Sequence, residues 1–345
     1  MKKSASALRL SAVAAVFALG LTACGGNGNG GSEGTTSPAG DGETLAAAES
    51  YTIGINQLVS HPALDAASKG FQSAFDEADI EVNWDLQNAQ GEVATATSIA
   101  NTFNSNADMD LIAAIATPAA QATANAVQDK PVVFFAVTDP EAAGIVESVD
   151  APGANVTGVS DRNPVKDQLQ LLLDVKPDAK TVGIVWNSAE TNSKSQVDQA
   201  KEAAAELGIE IKDVTITNSS EVGQGVQSLG DVDGIYVPTD NAVVSALEAV
   251  LQYGQDNSIP VISADTDSVE RGALGTYGID YEQHGKLAGE MAVKILRDDE
   301  DPGSMAVEYA SEDMLELVVN PTAAESFGVE ISQDVLDRAD VVIED

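Results

Sequence analysis

The chain has 345 residues, 43% hydrophobic but only 4% aromatic, and 55 Asp and Glu against 17 Lys and Arg give it a formal net charge of −38. Such acidity repels nucleic-acid phosphates and anionic lipid headgroups, and no basic stripe interrupts it, so a nucleic-acid partner is excluded. Cys24 is the only cysteine, which excludes an intramolecular disulfide, and the scarcity of aromatics calls for a core of Ala, Val, Ile and Leu.

Residues 1–23 have the order of an export signal. Lys2, Lys3 and Arg9 precede an apolar run over 10–21, and small residues lead into Cys24. The run is well short of the roughly 20 residues a membrane-spanning helix needs. Its ending, Leu21-Thr22-Ala23-Cys24, resembles the bacterial lipobox, in which the cysteine is acylated and becomes the new N-terminus. That implies a lipid anchor on the extracytoplasmic face of the cell membrane. Residues 24–50 are rich in Gly, Asn, Ser and Thr; they offer too little apolar surface to offset chain entropy and read as a disordered tether.

From Tyr51 short apolar runs alternate with helix-like stretches. Strands are expected at 51–56, 80–87, 111–116, 132–137 and 155–159, with helices at 62–78 and 92–104 and another starting near Pro118. The order then repeats: strand 181–186, helix 193–207 ending at Gly208, strand 209–216, strand 234–237, helix 240–251, and a stretch 259–267 that echoes 130–139. Continuous apolar strands separated by helices indicate parallel sheets covered on both faces. The expected fold class is α/β, with two doubly wound parallel-sheet lobes joined by a three-strand hinge. The lobes are expected over 51–160 plus 278–304 and over 161–277 plus 305–345.

In open parallel sheets ligands sit at the carboxyl ends of the strands. The polar punctuation falls there: Gln57, Ser60 and His61; Thr117; Thr138 and Asp139; Ser160 and Asp161; Asn187 and Glu190; Thr239, Asp240 and Asn241; Asp265 and Asp267. If the two lobes face each other across these edges, the loops line a cleft that a hinge can close.

Several stretches resemble one family as a set: His61-Pro62-Ala63-Leu64-Asp65, Gln87-Asn88-Ala89-Gln90-Gly91, Ala114-Ile115-Ala116-Thr117-Pro118-Ala119-Ala120-Gln121-Ala122, Ala136-Val137-Thr138-Asp139-Pro140, Asn155-Val156-Thr157-Gly158-Val159-Ser160-Asp161 and Tyr236-Val237-Pro238-Thr239-Asp240-Asn241. The chain from about Tyr51 onward is similar to the substrate-binding lipoproteins of ABC transporters, of the tryptophan/tyrosine type. The resemblance implies a type I periplasmic-binding-protein fold and capture of a small solute, an aromatic amino acid first among them. It also implies delivery to an ABC permease and its ATPase. A sensory lipoprotein for another solute, such as a nucleoside or sugar, uses the same cleft and is the alternative. Trp186 departs from the tyrosine that many members carry, which bears on pocket size.

Candidate ligand-facing residues are Gln57, Thr117, Ala119, Ala120, Thr138, Asp139, Ser160, Asn187, Glu190, Asn192, Ser193, Asp240 and Asp265. The corner Thr117-Pro118-Ala119-Ala120 opens a helix whose free N–H groups suit a carboxylate, unless it is a plain capped helix end. Asn192 or Ser193 is expected to cap the matching helix of the second lobe. Asp240 is the favoured partner of a ligand ammonium, with Asp139, Asp265 and Asp267 as competitors. No catalytic motif stands at a strand end, so the chain does not read as an enzyme. Asp265 with Asp267 and Asp231 with Asp233 fit no EF-hand loop, and neither a metal nor a cofactor is expected.

Overall fold

The computed structural model describes residues 50–311 and 314–343, so Cys24 and the expected tether lie outside the described residues. The first half runs β1 (Ser50–Gln57), α1 (Pro62–Glu77), β2 (Glu81–Asn88), α2 (Val93–Ser105), β3 (Leu111–Ile115), α3 (Thr117–Ala126), β4 (Val132–Phe135) and β5 (Val156–Ser160). These strands pair in parallel in the order β2-β1-β3-β4-β5. Every residue of β3 and β4 is buried, because alternate side chains enter two different cores. Leu111, Ala113 and Ile115 pack with Leu64, Phe71 and Phe75 of α1, while Ile112 and Ala114 pack with Phe103 of α2 and Ala120 of α3.

The second half runs α4 (Val165–Val175), β6 (Thr181–Asn187), α5 (Thr191–Leu207), β7 (Glu210–Ile216), α6 (Val222–Ser228), β8 (Gly234–Val237), α7 (Asn241–Ser245), α8 (Leu247–Asn257), β9 (Val261–Ser263) and α9 (Thr266–Glu270). Its parallel sheet has the order β7-β6-β8-β9. Helix α5 stops where Gly208 turns left-handed, with φ 74°. The single helix expected from Asp240 is instead two, because the chain leaves helical geometry at Ala246.

The chain then passes through β10 (Gly275–Ile279) and α10 (Tyr281–Arg297), β11 (Glu308–Tyr309) and β12 (Leu315–Val319), and finishes with α11 (Pro321–Ser326), α12 (Gln333–Arg338) and β13 (Val341–Val342). Strands β10 and β12 pair antiparallel, and β13 adds to β12. Helix α10 returns to the first lobe and lies along α1, where Gly70, Gly285 and Gly289 let the two backbones approach. A β-carbon on Gly285 would overlap the carbonyl of Ala67. Strand β11 corrects the expected assignment of 305 onward to the second lobe. It pairs in parallel with Val159 and Ser160 and covers what would otherwise be the bare edge of β5. The lobes are thus joined by three passages: after β5, between β10 and α10, and between β11 and β12.

Candidate functional site

Where the two sets of strand ends meet, a cavity is built from both lobes. The first lobe supplies His61, Ala63 and Leu64 from the start of α1, Ala136 and Thr138 after β4, Asp161 after β5, and Tyr281 at the start of α10. The second supplies Asn192 of α5, Thr239, Asp240 and Asn241 after β8, Val244 of α7, and Asp265 before α9. The cavity's free space is about 20 Å³, close to what one or two waters fill and far below the roughly 300–1,000 Å³ usual for small-molecule sites, so the lobes are shut down on it in this arrangement.

Three carboxylates face this space, and among the described residues no Lys or Arg lines it. Asp161 Oδ1 accepts from the Thr138 hydroxyl at 2.9 Å and Oδ2 from the Tyr281 hydroxyl at 2.8 Å. Burial pushes its carboxyl above the usual range, and the charge of nearby Asp265 pushes the same way. Asp265 caps α9, accepting from the backbone N–H and the hydroxyl of Ser268, both at 2.7 Å. A carboxylate offers about four lone-pair sites, so Asp161 and Asp265 each keep acceptor capacity.

Asp240 differs. It takes the backbone N–H of Asn187, the Ser193 hydroxyl at 2.7 Å and the backbone N–H of Val243 at 2.9 Å. Behind it Glu190 is buried with no cation. Burial, then the Asp240 charge, pushes its carboxyl up to about 7. It accepts from the side chains of Asn192 and Asn241 and from the backbone of Asn241 and Ala242.

Of the thirteen candidate residues, the structure brings Thr138, Asn192, Asp240 and Asp265 to the cavity wall. Ser193 and Glu190 stand behind them, and neither Asn192 nor Ser193 is a cap: both lie inside α5, bonded to Thr239 and Asp240. Asp139 takes part at the lobe junction, where its Oδ2 accepts from Ser195 across the cleft at 3.2 Å. Ser160 is buried and donates to the Thr138 carbonyl. Gln57 turns away, donating to Asp65 at 2.6 Å and lining a groove on the far side of α1.

The Thr117 corner does not reach the acidic cavity. Pro118 borders a separate groove of about 350 Å³, together with Asn187 and Glu190, while Ala119 and Ala120 pack in the cores of the first lobe. Ala116, left-handed at φ 78°, holds the N-cap position of α3. Trp186 also points elsewhere: its indole donates to Asp213 at 2.9 Å, beside Lys201.

Sequence reasoning did not select His61, Asp161, Asn241 and Tyr281, which the structure places in the cavity wall. The first three are strand-end polar residues, a signal it recorded without selecting them. Tyr281 opens a helix 120 residues from its partner Asp161, and nothing local marks it. The wall at Ala136 is held by a buried ring. Ala136 has φ 54°, and its N–H donates to His284 Nε2 at 3.0 Å. Burial lowers the His284 pKa to about 4, so the ring is a neutral acceptor.

Two α/β lobes joined by three passages and closed on a polar cavity between their strand ends have the architecture of a solute-binding protein. The chain belongs to the ABC transporter substrate binding protein family, whose model matches residues 52–343. It is 45% identical over 249 residues to a tyrosine-binding protein of Clostridioides difficile, a match spanning 71% of this chain and 72% of that protein. An ABC domain from Streptococcus pneumonia in complex with L-Trp superimposes with a TM-score of 0.81 at 35% identity, over 86% of this chain and all of that one. The ligand-free, open structure of a Clostridium difficile substrate binding protein with adhesive properties gives only 0.64 at 43% identity, over 86% of this chain and all of the other. That structure is an open one. The arrangement described here is the closed one, and the contacts across the cleft agree: Thr138 with Thr239, Asp139 with Ser195, and His61 with Asn241.

Proposed function

We propose that the protein captures an aromatic amino acid in the interlobe cavity and delivers it to an ABC permease. The observation that carries this reading is the pair Asp161 and Asp265: two buried carboxylates with spare acceptor capacity face one cavity, without a Lys or Arg among its described lining. Buried charge is costly unless it is paired, and a ligand ammonium supplies the pair. The start of α1 suits the ligand carboxylate: Pro62 lacks an N–H, and Ala63 and Leu64 line the cavity at the positive end of a 16-residue helix. Leu64, Val244 and the rings of Tyr281 and His61 give the wall an apolar part suited to an aromatic side chain. The names of the similar proteins, one tyrosine-binding and one in complex with L-Trp, point the same way.

The mechanism is closure. Ligand bound to one lobe supplies contacts that the other completes, and the population shifts to the closed form. The lipobox that ends at Cys24 supports a mature lipoprotein on the outer membrane face, within reach of the permease. Calorimetric and thermal-shift titrations with L-tyrosine, L-tryptophan, nucleosides and sugars test the ligand. An aromatic amino acid at 100 times its Kd is expected to stabilise the fold by about 2.7 kcal/mol. Stabilisation by nucleosides or sugars alone overturns the assignment. For the anchor, Cys24→Ser is expected to move the protein to the soluble fraction, and full membrane retention argues against it.

A further inference from the structure

Glu190 does not line the acidic cavity, yet it governs which kind of hydrogen bond that cavity offers. Its Oε2 accepts from the side-chain amide of Asn241 at 2.6 Å and from that of Asn192 at 3.0 Å. An amide that gives its NH2 to a carboxylate turns its carbonyl oxygen the other way. For Asn241 that oxygen meets His61 Nε2 at 3.4 Å. An acceptor at that position calls for the proton on Nε2, which leaves Nδ1 as a bare lone pair in the neutral ring. Burial favours the neutral ring by lowering the His61 pKa, against the opposing charges of Asp265 and Asp65. The Asn192 amide is held a second time by the Thr239 carbonyl, at 2.8 Å. Its Oδ1 is therefore fixed as an acceptor too.

His61 Nδ1 and Asn192 Oδ1 share one property. Both are buried, both belong to residues of the cavity wall, and neither has a hydrogen-bond partner among the described residues. Buried polar atoms are rarely left so, because the desolvation cost is not returned. One comes from each lobe, so a ligand that satisfies both ties the lobes together.

We propose that Glu190 is a positioning residue that sets the hydrogen-bond polarity of the cavity, presenting His61 Nδ1 and Asn192 Oδ1 as acceptors for N–H and O–H groups of the ligand. The proposal rests on the amino-acid reading above only for the identity of those donors: an ammonium, and a phenol or indole. Glu190→Gln puts an NH2 where the carboxylate accepts from five groups, the side-chain amides of Asn187, Asn192 and Asn241 and the backbone N–H groups of Asn241 and Ala242. At either oxygen position that NH2 opposes a backbone N–H, Asn241 at Oε2 or Ala242 at Oε1, and wherever it sits at Oε2 the Asn241 amide turns and reverses the bond to His61.

The chain has two histidines, and the structure assigns them opposite tautomers. His284 accepts at Nε2 from Ala136, so its proton is on Nδ1. The test is the nitrogen spectrum of 15N-histidine-labelled full chain at pH 8, assigned with His61→Gln. Without ligand, His61 is expected as the Nε2–H tautomer and His284 as the Nδ1–H tautomer. Adding L-tyrosine to saturation is expected to move the His61 Nδ1 resonance and leave His284 in place. In Glu190→Gln, His61 is expected to lose its single tautomer while His284 keeps its own, a pattern that general loosening would not give. Affinity for L-tyrosine is expected to fall at least tenfold.

An Nδ1–H tautomer at His61 in the ligand-free protein overturns the proposal, as does an Nδ1 resonance that ignores bound L-tyrosine or a Glu190→Gln variant with His61 unchanged. If neither L-tyrosine nor L-tryptophan binds, the functional reading fails, and the ligand-free tautomers still decide the polarity. They decide it equally if Glu190→Gln does not fold.

Discussion

Thr138 and Thr239 meet across the cleft, Oγ1 to Oγ1, at 3.3 Å, and their surroundings fix the direction of the bond. Thr138 spends its proton on Asp161 Oδ1 at 2.9 Å, and Thr239 Oγ1 already accepts from Gln196 Nε2 at 2.7 Å. Thr239 is therefore the donor, and the chain runs from Gln196 through Thr239 and Thr138 to Asp161. Closing the lobes adds one link, and that link ends on a carboxylate of the cavity. Lobe position and site electrostatics are coupled through two hydroxyls.

Thr239→Val keeps the shape of the side chain and removes the link, leaving the Gln196 amide without its acceptor. Net hydrogen bonds are worth about 0.5–1.5 kcal/mol, with more lost when a buried partner is orphaned. Ligand affinity is expected to fall about tenfold, since ~1.4 kcal/mol is a factor of ten. Small-angle scattering of the ligand-free variant is expected to show a larger radius than wild type. Calorimetry showing unchanged affinity would remove this bond from the closure energy.

Gly285 sits where α10 crosses α1 backbone to backbone, and a β-carbon there would meet the carbonyl of Ala67 rather than a side chain that can move. Gly285→Ala is expected to destabilise the protein by about 1–3 kcal/mol or more, as overpacking does. Gly223 in α6 is the control. A β-carbon there meets only the Ala249 side chain at 3.9 Å, an ordinary contact, and helix propensity favours alanine by about 0.8–1.0 kcal/mol. Urea denaturation of the two variants should move in opposite directions.

The sheets were legible in the sequence because a fully buried parallel strand cannot hide: 111–115 and 132–135 are apolar at every position. Strand β11 was not, since two residues, Glu308 and Tyr309, carry no pattern and owe their conformation to the edge of β5. The site was half legible for a related reason. Strand-end residues such as Asp265 and Asp240 are visible in sequence, but both cap helices. Whether a capping carboxylate has acceptor capacity left for a ligand depends on how many N–H groups reach it. That count separates Asp161 and Asp265 from Asp240, and it exists only after both lobes are folded.

Asp267, in the first turn of α9, lies in a groove with Glu270, Asp280 and Glu282. Partial burial, then the charges of Asp265, Glu270 and Asp280, push its carboxyl from 3.8 up to about 7. A folded pKa above the unfolded one means that the fold favours the protonated acid. This contribution is fully present below about pH 4 and is lost as pH rises to 7. Asp267→Asn mimics the protonated form, so it is expected to raise Tm at pH 8 and to leave it nearly unchanged at pH 4. An equal gain at both pH values would trace the effect to packing instead.

Asp161→Asn and Asp240→Asn should divide binding from folding. Both partners of Asp161 are hydroxyls, Thr138 and Tyr281, and a hydroxyl can turn from donor to acceptor when an amide NH2 replaces an oxygen. The fold is expected to tolerate Asp161→Asn, while the ligand ammonium loses one of its two carboxylates. Breaking one member of a buried, hydrogen-bonded charge pair costs about 2–5 kcal/mol, and the lower end applies because Asp265 remains. About 2–3 kcal/mol corresponds to a thirty- to hundredfold loss of affinity, at ~1.4 kcal/mol per factor of ten. Asp240 instead accepts from the backbone N–H groups of Asn187 and Val243, which cannot reverse, one on each oxygen. An amide at this position must oppose one of them with its own NH2, so Asp240→Asn is expected to lower stability by about 1–3 kcal/mol. Its effect on the affinity of the folded fraction is expected to be the smaller of the two. Calorimetric titration with L-tyrosine, paired with denaturant melts of both variants, reads the two quantities separately. If Asp240→Asn abolishes binding in a protein as stable as wild type, the ammonium belongs at Asp240 and not between Asp161 and Asp265.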